Sequence, residues 1–398
     1  MKIAIDAHMV GHQATGNETY TLNLIDALAR LDGAGREYTV YVDRRGLSSL
    51  PPSLNGRVRV RVLPLHSPLV RIPFLLPVEL WRRRADVAHM HYILPPVVPR
   101  CATVLTVHDI SFERYPDFFS RSELLRARTL VPFSARRADV VIAVSEFTKA
   151  DLVSFYGIDP EKIVVTSAAP APHFHPLDDR RRIDAVRREY GIDGPFILYV
   201  GNIQPRKNLR RLIEAFAATA CESDIPHRLV IVGKKAWLHS PVLEAARASR
   251  LSERITFTGY VPDKDLPALY NAADLFVYPS IFEGFGLPVL EAMSCGTPVI
   301  TSNTSSLPEV GGDAAVYFDP LDAGDIARAI RAALADPELR SRLSARGLAR
   351  AKEFSWAATA RKTVEAYEQA FRARFGASKA ATAIAEHKTV ISGRSQRS

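Results

Sequence analysis

Residues 275–303, LFVYPSIFEGFGLPVLEAMSCGTPVITSN, constrain what this chain can fold into more than any other stretch. The apolar run Leu275 to Tyr278 reads as a buried strand. A short loop with Glu283, Gly284, Phe285 and Gly286 follows it. Pro288 stands where a helix would start, because its fixed φ suits the first helical position and its missing N–H costs nothing there. Gly296 marks the end of that helix, and Pro298 prevents its continuation into the next strand at Val299, Ile300 and Thr301. The result is one βαβ unit with Glu283 and Glu291 on either side of a glycine-containing loop. In an open α/β sheet such a loop lies at the carboxyl end of a strand, where ligands bind. The helix start adds free N–H groups and a positive dipole end suited to an anion. Both carboxylates can accept hydrogen bonds from the hydroxyls of a sugar or a ribose. Taken singly, Glu291 could merely complement the helix dipole and Glu283 could be a solvated loop residue; the whole constellation in this order favours a binding site.

The same alternation of strand and helix runs through the chain. Strands are expected at 2–7, 38–42, 58–63, 86–91, 103–107, 139–144 and 163–165, then at 196–200, 229–232 and 255–258. A helix after Gly16 places Tyr20, Leu24, Leu28 and Leu31 on one face. Residues 167–195 change character, from prolines through a charged helix to Gly194-Pro195, and read as a connection. This argues for an α/β fold of two parallel-sheet domains. The expected bounds are 1–170, a linker over 171–194, and a second domain over 195–354. An amphipathic helix over 355–375 and a polar, disordered tail over 376–398 complete the chain. A length of 398 residues fits two domains.

Composition excludes several classes. A hydrophobic content of 47% with 24% charged residues is that of a globular protein. No window of 18 or more apolar residues reads as a membrane span, and residues 1–6 lack a signal-peptide pattern. Cys101, Cys221 and Cys295 fit no zinc or disulfide spacing, so a reduced, cytoplasmic location is the expectation. The net charge of +9 is scattered over helices without a nucleic-acid-binding motif, and no nucleic acid is expected as a partner. Two clusters stand out: LVRIPFLLPVELWRRR over 69–84 and an arginine-rich helix over 121–137. Mixed apolar, aromatic and basic residues suit peripheral contact with an anionic membrane, here the inner face of the cytoplasmic membrane. An ordinary amphipathic surface is the alternative. Oligomeric state is not legible.

Two further loops carry candidate chemistry. His108-Asp109 closes the strand 103–107, at the end where such folds bind ligands; a loop histidine beside a turn-forming aspartate is the alternative. GNIQPRKN places Arg206 and Lys207 between a strand and a helix start, a poor place for cations unless an anion is present. A guanidinium fork and a mobile ammonium together suit a diphosphate. Asp263 and Asp265 form a DxD sequence, but Asp265 reads as an N-cap, and no metal site is expected. His173 and His175 have no other evident ligands nearby, which makes zinc an unsupported reading.

These residues carry a family resemblance. EGFGLPVLEAMSCGTPVITSN resembles the E-x7-E signature of retaining, nucleotide-sugar-dependent glycosyltransferases of family 4, and GNIQPRKNLRRLIEAF resembles that family's pyrophosphate loop. VIAVSEFTKADL, VPDKDLPALYNAADLFVYPS and SLPEVGGDAAVYFDP are also similar to family stretches. The resemblance implies the GT-B fold, two Rossmann-like domains facing a central cleft, with the last helix crossing back to the first domain. It implies that Arg206 and Lys207 neutralise the leaving diphosphate, that Glu291 binds the donor ribose and that Glu283 binds the transferred sugar. Phe285, Gly286 and Leu287 would hold sugar and phosphate through their backbone, Gly16 would bring the first helix near the diphosphate, and His108 would face the transferred sugar. No cofactor and no metal are implied; the donor is a nucleotide sugar. HDISFERYPDFF is similar to the HD segment of bacterial mannosyltransferases, so GDP-mannose is the first donor expected and a UDP-hexose the next. The acceptor expected is a glycan or a lipid-linked oligosaccharide, as in polysaccharide biosynthesis. A nucleotide-sugar 2-epimerase and a non-catalytic nucleotide-sugar-binding protein share the architecture and remain alternatives.

Overall fold

The structure, a computed structural model, describes residues 1–12, 16–31, 35–54, 56–64, 67–98, 100–234, 240–249 and 251–376. The chain forms two compact units: Met1–Ala168 with the chain from Trp356 onward, and Ala169–Ser355. Most of the tail expected to be disordered, 377–398, lies outside the described residues.

In the first unit, β1 (Lys2–Asp6), β2 (Glu37–Val42), β3 (Arg59–Val62), β4 (Val87–His91), β5 (Ala102–Val107), β6 (Val140–Ala143) and β7 (Ile163–Val165) form one parallel sheet. Its order is β3-β2-β1-β4-β5-β6-β7, so the direction of winding reverses between β1 and β4. β4 and β5 are buried along their whole length, as in a parallel sheet covered on both faces, and they carry His89, His91, Thr103 and Thr106 inside with the apolar residues. The helix Trp356–Phe375 packs in this unit, burying Trp356, Val364 and Tyr367.

In the second unit, β8 (Phe196–Val200), β9 (Arg228–Val232), β10 (Ile255–Gly259), β11 (Leu275–Tyr278), β12 (Val299–Ser302) and β13 (Ala315–Phe318) are likewise parallel. The order β10-β9-β8-β11-β12-β13 reverses between β8 and β11. Gly201 and Gly233 close β8 and β9 at φ +154° and +147°, and a Cβ on Gly233 would lie 2.0 Å from the Gly201 carbonyl oxygen. Only glycine permits that approach.

Several expectations need correction. Residues 171–194 do not stand between the units. They belong to the second, where the helix Arg180–Glu189 buries Ile183 and Val186 and packs on the helix Leu266–Ala272. Asp265 stands at the N-cap position of that helix, as expected, but makes no side-chain cap hydrogen bond. Pro288 occupies the second position of Leu287–Ser294, with Gly286 as its cap. The proline-interrupted stretch 68–83 is helical, with a π turn at Arg71–Leu75 accommodating Pro73.

Candidate functional site

In the second unit the point of winding reversal is where an open parallel sheet leaves a crevice for ligands. The loops after β8 and β11 flank it. The first forms a short 3-10 turn, Pro205–Lys207, ending at Asn208 in the left-handed conformation, φ +59°. Asn208 Nδ2 donates to the carbonyls of Pro279 and Pro320 at 3.1 and 2.6 Å, while the Ile281 N–H donates to the Arg206 carbonyl at 2.9 Å. These bonds stitch the two loops together. They bring Arg206, Lys207 and Glu283 into contact from 76 residues apart in sequence.

Glu283 is buried and held by both cations. Its Oε1 accepts from Lys207 Nζ and Ser280 Oγ, each at 2.5 Å, and from Tyr278 Oη at 3.1 Å. Its Oε2 accepts from Arg206 Nη1 at 2.8 Å, and Arg206 also donates to the Phe282 carbonyl at 2.6 Å. Burial by itself would raise the carboxyl, but the charges of Arg206 and Lys207 and the Lys207 and Ser280 hydrogen bonds bring it down to about 2. Two cations against one carboxylate leave the cluster positive, at a loop where an anion can approach.

Glu291 is set apart from this cluster. Its Oε2 accepts from Tyr270 Oη at 3.0 Å, and it is buried in the helix Leu287–Ser294. Burial, with Asp263 adding repulsion, pushes its carboxyl up to about 8 against the Tyr270 bond. Asp263 thus acts on the site as a charge, and among the described residues no group of three or more His, Cys, Asp or Glu is placed to hold a metal ion.

Phe285, Gly286 and Leu287 lie between the two glutamates. Ser306 Oγ donates to the carbonyls of Glu283 and Phe285 at 3.0 and 2.8 Å, which fixes the turn before the helix start. Gly286 has φ +104°, and a Cβ there would meet Leu307 Cδ2 at 2.6 Å. Gly286→Ala should therefore destabilise the protein by about 1–3 kcal/mol. Urea unfolding checks this: the midpoint should fall with an unchanged slope.

The first unit has its own crevice between β1 and β4. Asp6 closes β1, and its Oδ2 accepts from Arg71 Nη1 and pairs with His8 Nδ1 at 3.0 Å. Despite burial, His8 and Arg71 hold the Asp6 carboxyl well below the usual range. His91 closes β4, and its Nδ1 shares a hydrogen bond with His108 Nε2 at 3.2 Å; the two rings stack at 5.3 Å. His89 stacks behind at 5.4 Å and is held by Thr106 Oγ1 and Tyr367 Oη, each at 2.7 Å. Burial depresses all three imidazoles, His108 to about 3, so they are neutral at pH 7. Which of His91 and His108 donates fixes the other's tautomer. Asp109 is a turn former, accepting from Ser111 N and Oγ. Gly16 begins the helix Gly16–Arg30, and a Cβ there would meet nothing within 4 Å. Glu18 Oε1 accepts from the Gly11 N–H at 2.7 Å, so this side chain braces the preceding loop.

Sequence reasoning singled out His108, Glu283, Glu291, Arg206, Lys207 and Gly16 but missed Asp6, Arg71, His89, His91 and Tyr270. The signals available were IDAH at the end of β1 and HMHY at the end of β4.

Two parallel sheets, each reversing its winding direction once, define a doubly wound α/β class of protein. The family comparisons specify it. Residues 14–168 match the profile described as glycosyltransferase family 4, and residues 182–350 match glycosyl transferases group 1. The chain is 35% identical over 278 residues to the O-antigen chain mannosyltransferase B of Escherichia coli, covering 70% of this chain and 72% of that protein. It is 37% identical over 234 residues to the Escherichia coli serotype-specific mannosyltransferase WbdA, covering 58% of this chain but only 29% of that longer protein. Among solved structures, the sucrose-phosphate synthase of Thermosynechococcus elongatus superposes with a TM-score of 0.74 at 24% identity, over 94% of this chain and 100% of that one. The chain belongs to glycosyltransferase family 4, with the GT-B fold, and is a glycosyltransferase. Its family implies a nucleotide-sugar donor and a glycan acceptor.

Proposed function

We propose that this enzyme transfers mannose from GDP-mannose, with retention at the anomeric carbon and without a metal ion, to a glycan or lipid-linked acceptor. The observation that carries the reading is the positive cluster of Arg206, Lys207 and Glu283 at the reversal point of the second sheet. A donor diphosphate is the anion that suits it. Arg206 and Lys207 take the charge that develops when the bond from the anomeric carbon to phosphate breaks. The acceptor oxygen forms its bond on the same face, and its proton passes to a phosphate oxygen. Cations already held by Glu283 need no reorganisation at that moment, which is the source of their leverage. Glu291 takes the ribose hydroxyls, Glu283 the sugar, and the backbone of Phe285 to Leu287 the sugar and phosphate. The choice of mannose rests on the likeness to the two Escherichia coli mannosyltransferases.

A thermal-shift panel of GDP-, UDP- and ADP-sugars tests the donor. GDP-mannose at about 100 times its Kd should stabilise by about 2.7 kcal/mol. A shift with UDP-hexoses alone would reassign the donor, and no shift with any nucleotide sugar would overturn the reading. Transfer should persist in chelator, and the product's anomeric configuration by NMR should match the donor's. Free nucleotide with an altered sugar and no transfer product would point to an epimerase.

A further inference from the structure

The three histidines of the first unit fix a proton as well as a shape. His89 and His91 are two residues apart on β4, and Thr106 and His108 two apart at the end of β5, with His91 paired opposite Thr106. Their side chains therefore meet on one face of the sheet. His89 is satisfied at both nitrogens, because Tyr367 Oη and Thr106 Oγ1, each at 2.7 Å, are hydroxyls that can donate or accept as the ring requires. Its ring backs that of His91 at 5.4 Å. The rings of His91 and His108 lie within 3° of parallel, and Tyr20 packs at 87° against His108 with 4.9 Å between centroids. In so close a packing none of these rings turns without displacing its neighbour.

With both imidazoles neutral at pH 7, a single proton occupies the 3.2 Å bond between His91 Nδ1 and His108 Nε2. It has two possible owners. If His108 donates, His91 must carry its own proton on Nε2. If His91 donates, its Nε2 is bare and His108 carries its proton on Nδ1. His91 Nε2 decides between them, since it is buried and has no hydrogen-bond partner among the described residues. The first arrangement would seal an N–H away without an acceptor; the second leaves only an unused lone pair. In proteins an unpaired buried N–H is the rarer of the two.

We propose that His91 is a positioning residue that donates from Nδ1 to His108 and so holds His108 as the Nδ1–H tautomer, a hydrogen-bond donor to an oxygen of a sugar substrate. Among the described residues His108 Nδ1 makes no hydrogen bond, which leaves it as the nitrogen for a ligand. It stands at the carboxyl end of β5, next to β4 and the crevice where the winding reverses. A sugar presents hydroxyl and ring oxygens that accept from such a group. His108 then orients the sugar without giving up its proton. The tautomer is a property of the ligand-free protein, whereas its use rests on the glycosyltransferase assignment.

Proton–nitrogen NMR of the full chain carrying isotope-labelled histidine tests this, with His91→Asn and His108→Asn used to identify the two rings. Both rings should bear the proton on Nδ1 and leave Nε2 bare. A proton on His108 Nε2 overturns the proposal. This measurement needs no substrate, so a failure of the donor assignment leaves it readable. His91→Phe fills the space but donates nothing, so the two tautomers of His108 should mix. Its kcat/KM, with the nucleotide sugar that the thermal-shift panel selects, should fall by roughly 2- to 10-fold, the worth of one hydrogen bond. His91→Asn, whose amide N–H can stand in for Nδ1–H, should keep the proton on His108 Nδ1 and recover most of that loss. A rise in the KM of the nucleotide sugar places the transferred sugar at His108, and a rise in the KM of the acceptor places the acceptor there; either supports the role. Two results overturn it: mixed tautomers in His91→Phe with both KM values unchanged, or rates that fall alike in both variants while the His108 tautomer stays as it was.

Discussion

Glu291→Gln should make the protein more stable at pH 9 and a poorer binder of its donor. The Glu291 carboxyl sits at about 8 when folded, because burial and Asp263 oppose its ionisation. In the unfolded chain it would titrate near 4.3. The folded state therefore holds the extra proton between these values, and stability falls as pH rises through that window. Below it, both forms are neutral and the two proteins should unfold alike. Above about pH 8 the unaltered protein carries the full cost of a buried carboxylate, on the order of a few kcal/mol, which the amide escapes. Urea midpoints from pH 4 to 9 would show converging curves at the acid end and a gap opening toward the alkaline end. Donor affinity should move the other way. A carboxylate accepting two ribose hydroxyls makes charge-assisted bonds that an amide cannot match, so Kd should rise by roughly 10- to 100-fold. If the ionised form is the binding form, affinity in the unaltered protein improves as pH approaches 8, and the glutamine variant loses that slope. A glutamine variant with unaltered donor affinity would remove Glu291 from the ribose.

That trade-off depends on Tyr270 and Asp263, and neither was legible as part of a site. Tyr270 reads as a core aromatic, since YNAADLFVYP gives no cue that its hydroxyl turns toward a glutamate 21 residues on. The loops after β8 and β11 were legible because glycine, proline and apolar runs punctuate them, and because cations at a helix start need an explanation. The direct ion pairing of Glu283 with both cations was not, since it needs β8 and β11 to be neighbours across the reversal of the sheet. The same cause hid the first unit's cluster. The Asp6 carboxylate acts on His91 only because β1 lies beside β4, a crossover of about eighty residues that local pattern does not encode. β13 escaped because it is short and half-exposed at Val316 and Tyr317, and the helix through 68–83 because Pro73 and Pro77 break its period.

Lys207→Ala should abolish most transfer and also cost stability at neutral pH, a coupling the geometry requires. Lys207 is buried and donates to Glu283 at 2.5 Å and to Tyr278 Oη at 2.7 Å. Truncating it leaves a buried carboxylate with Arg206, Ser280 and Tyr278 as its remaining donors. Breaking a buried pair from one side costs about 3–5 kcal/mol when nothing compensates. Three surviving donors should hold the loss to the lower part of that range. The sign of its pH dependence follows from Glu283. Its folded carboxyl lies at about 2, below its unfolded value, so the pairing contributes stability above pH 4–5 that is lost as pH falls toward 2. The variant should therefore differ most from the unaltered protein at neutral pH and least near pH 2. Turnover should fall by about 10²–10³, the cost of removing one preorganised group facing developing charge. Assays well below the variant's unfolding temperature, with folding checked by circular dichroism, would decide it. A folded Lys207→Ala protein turning over donor at the unaltered rate would take the leaving diphosphate away from this cluster.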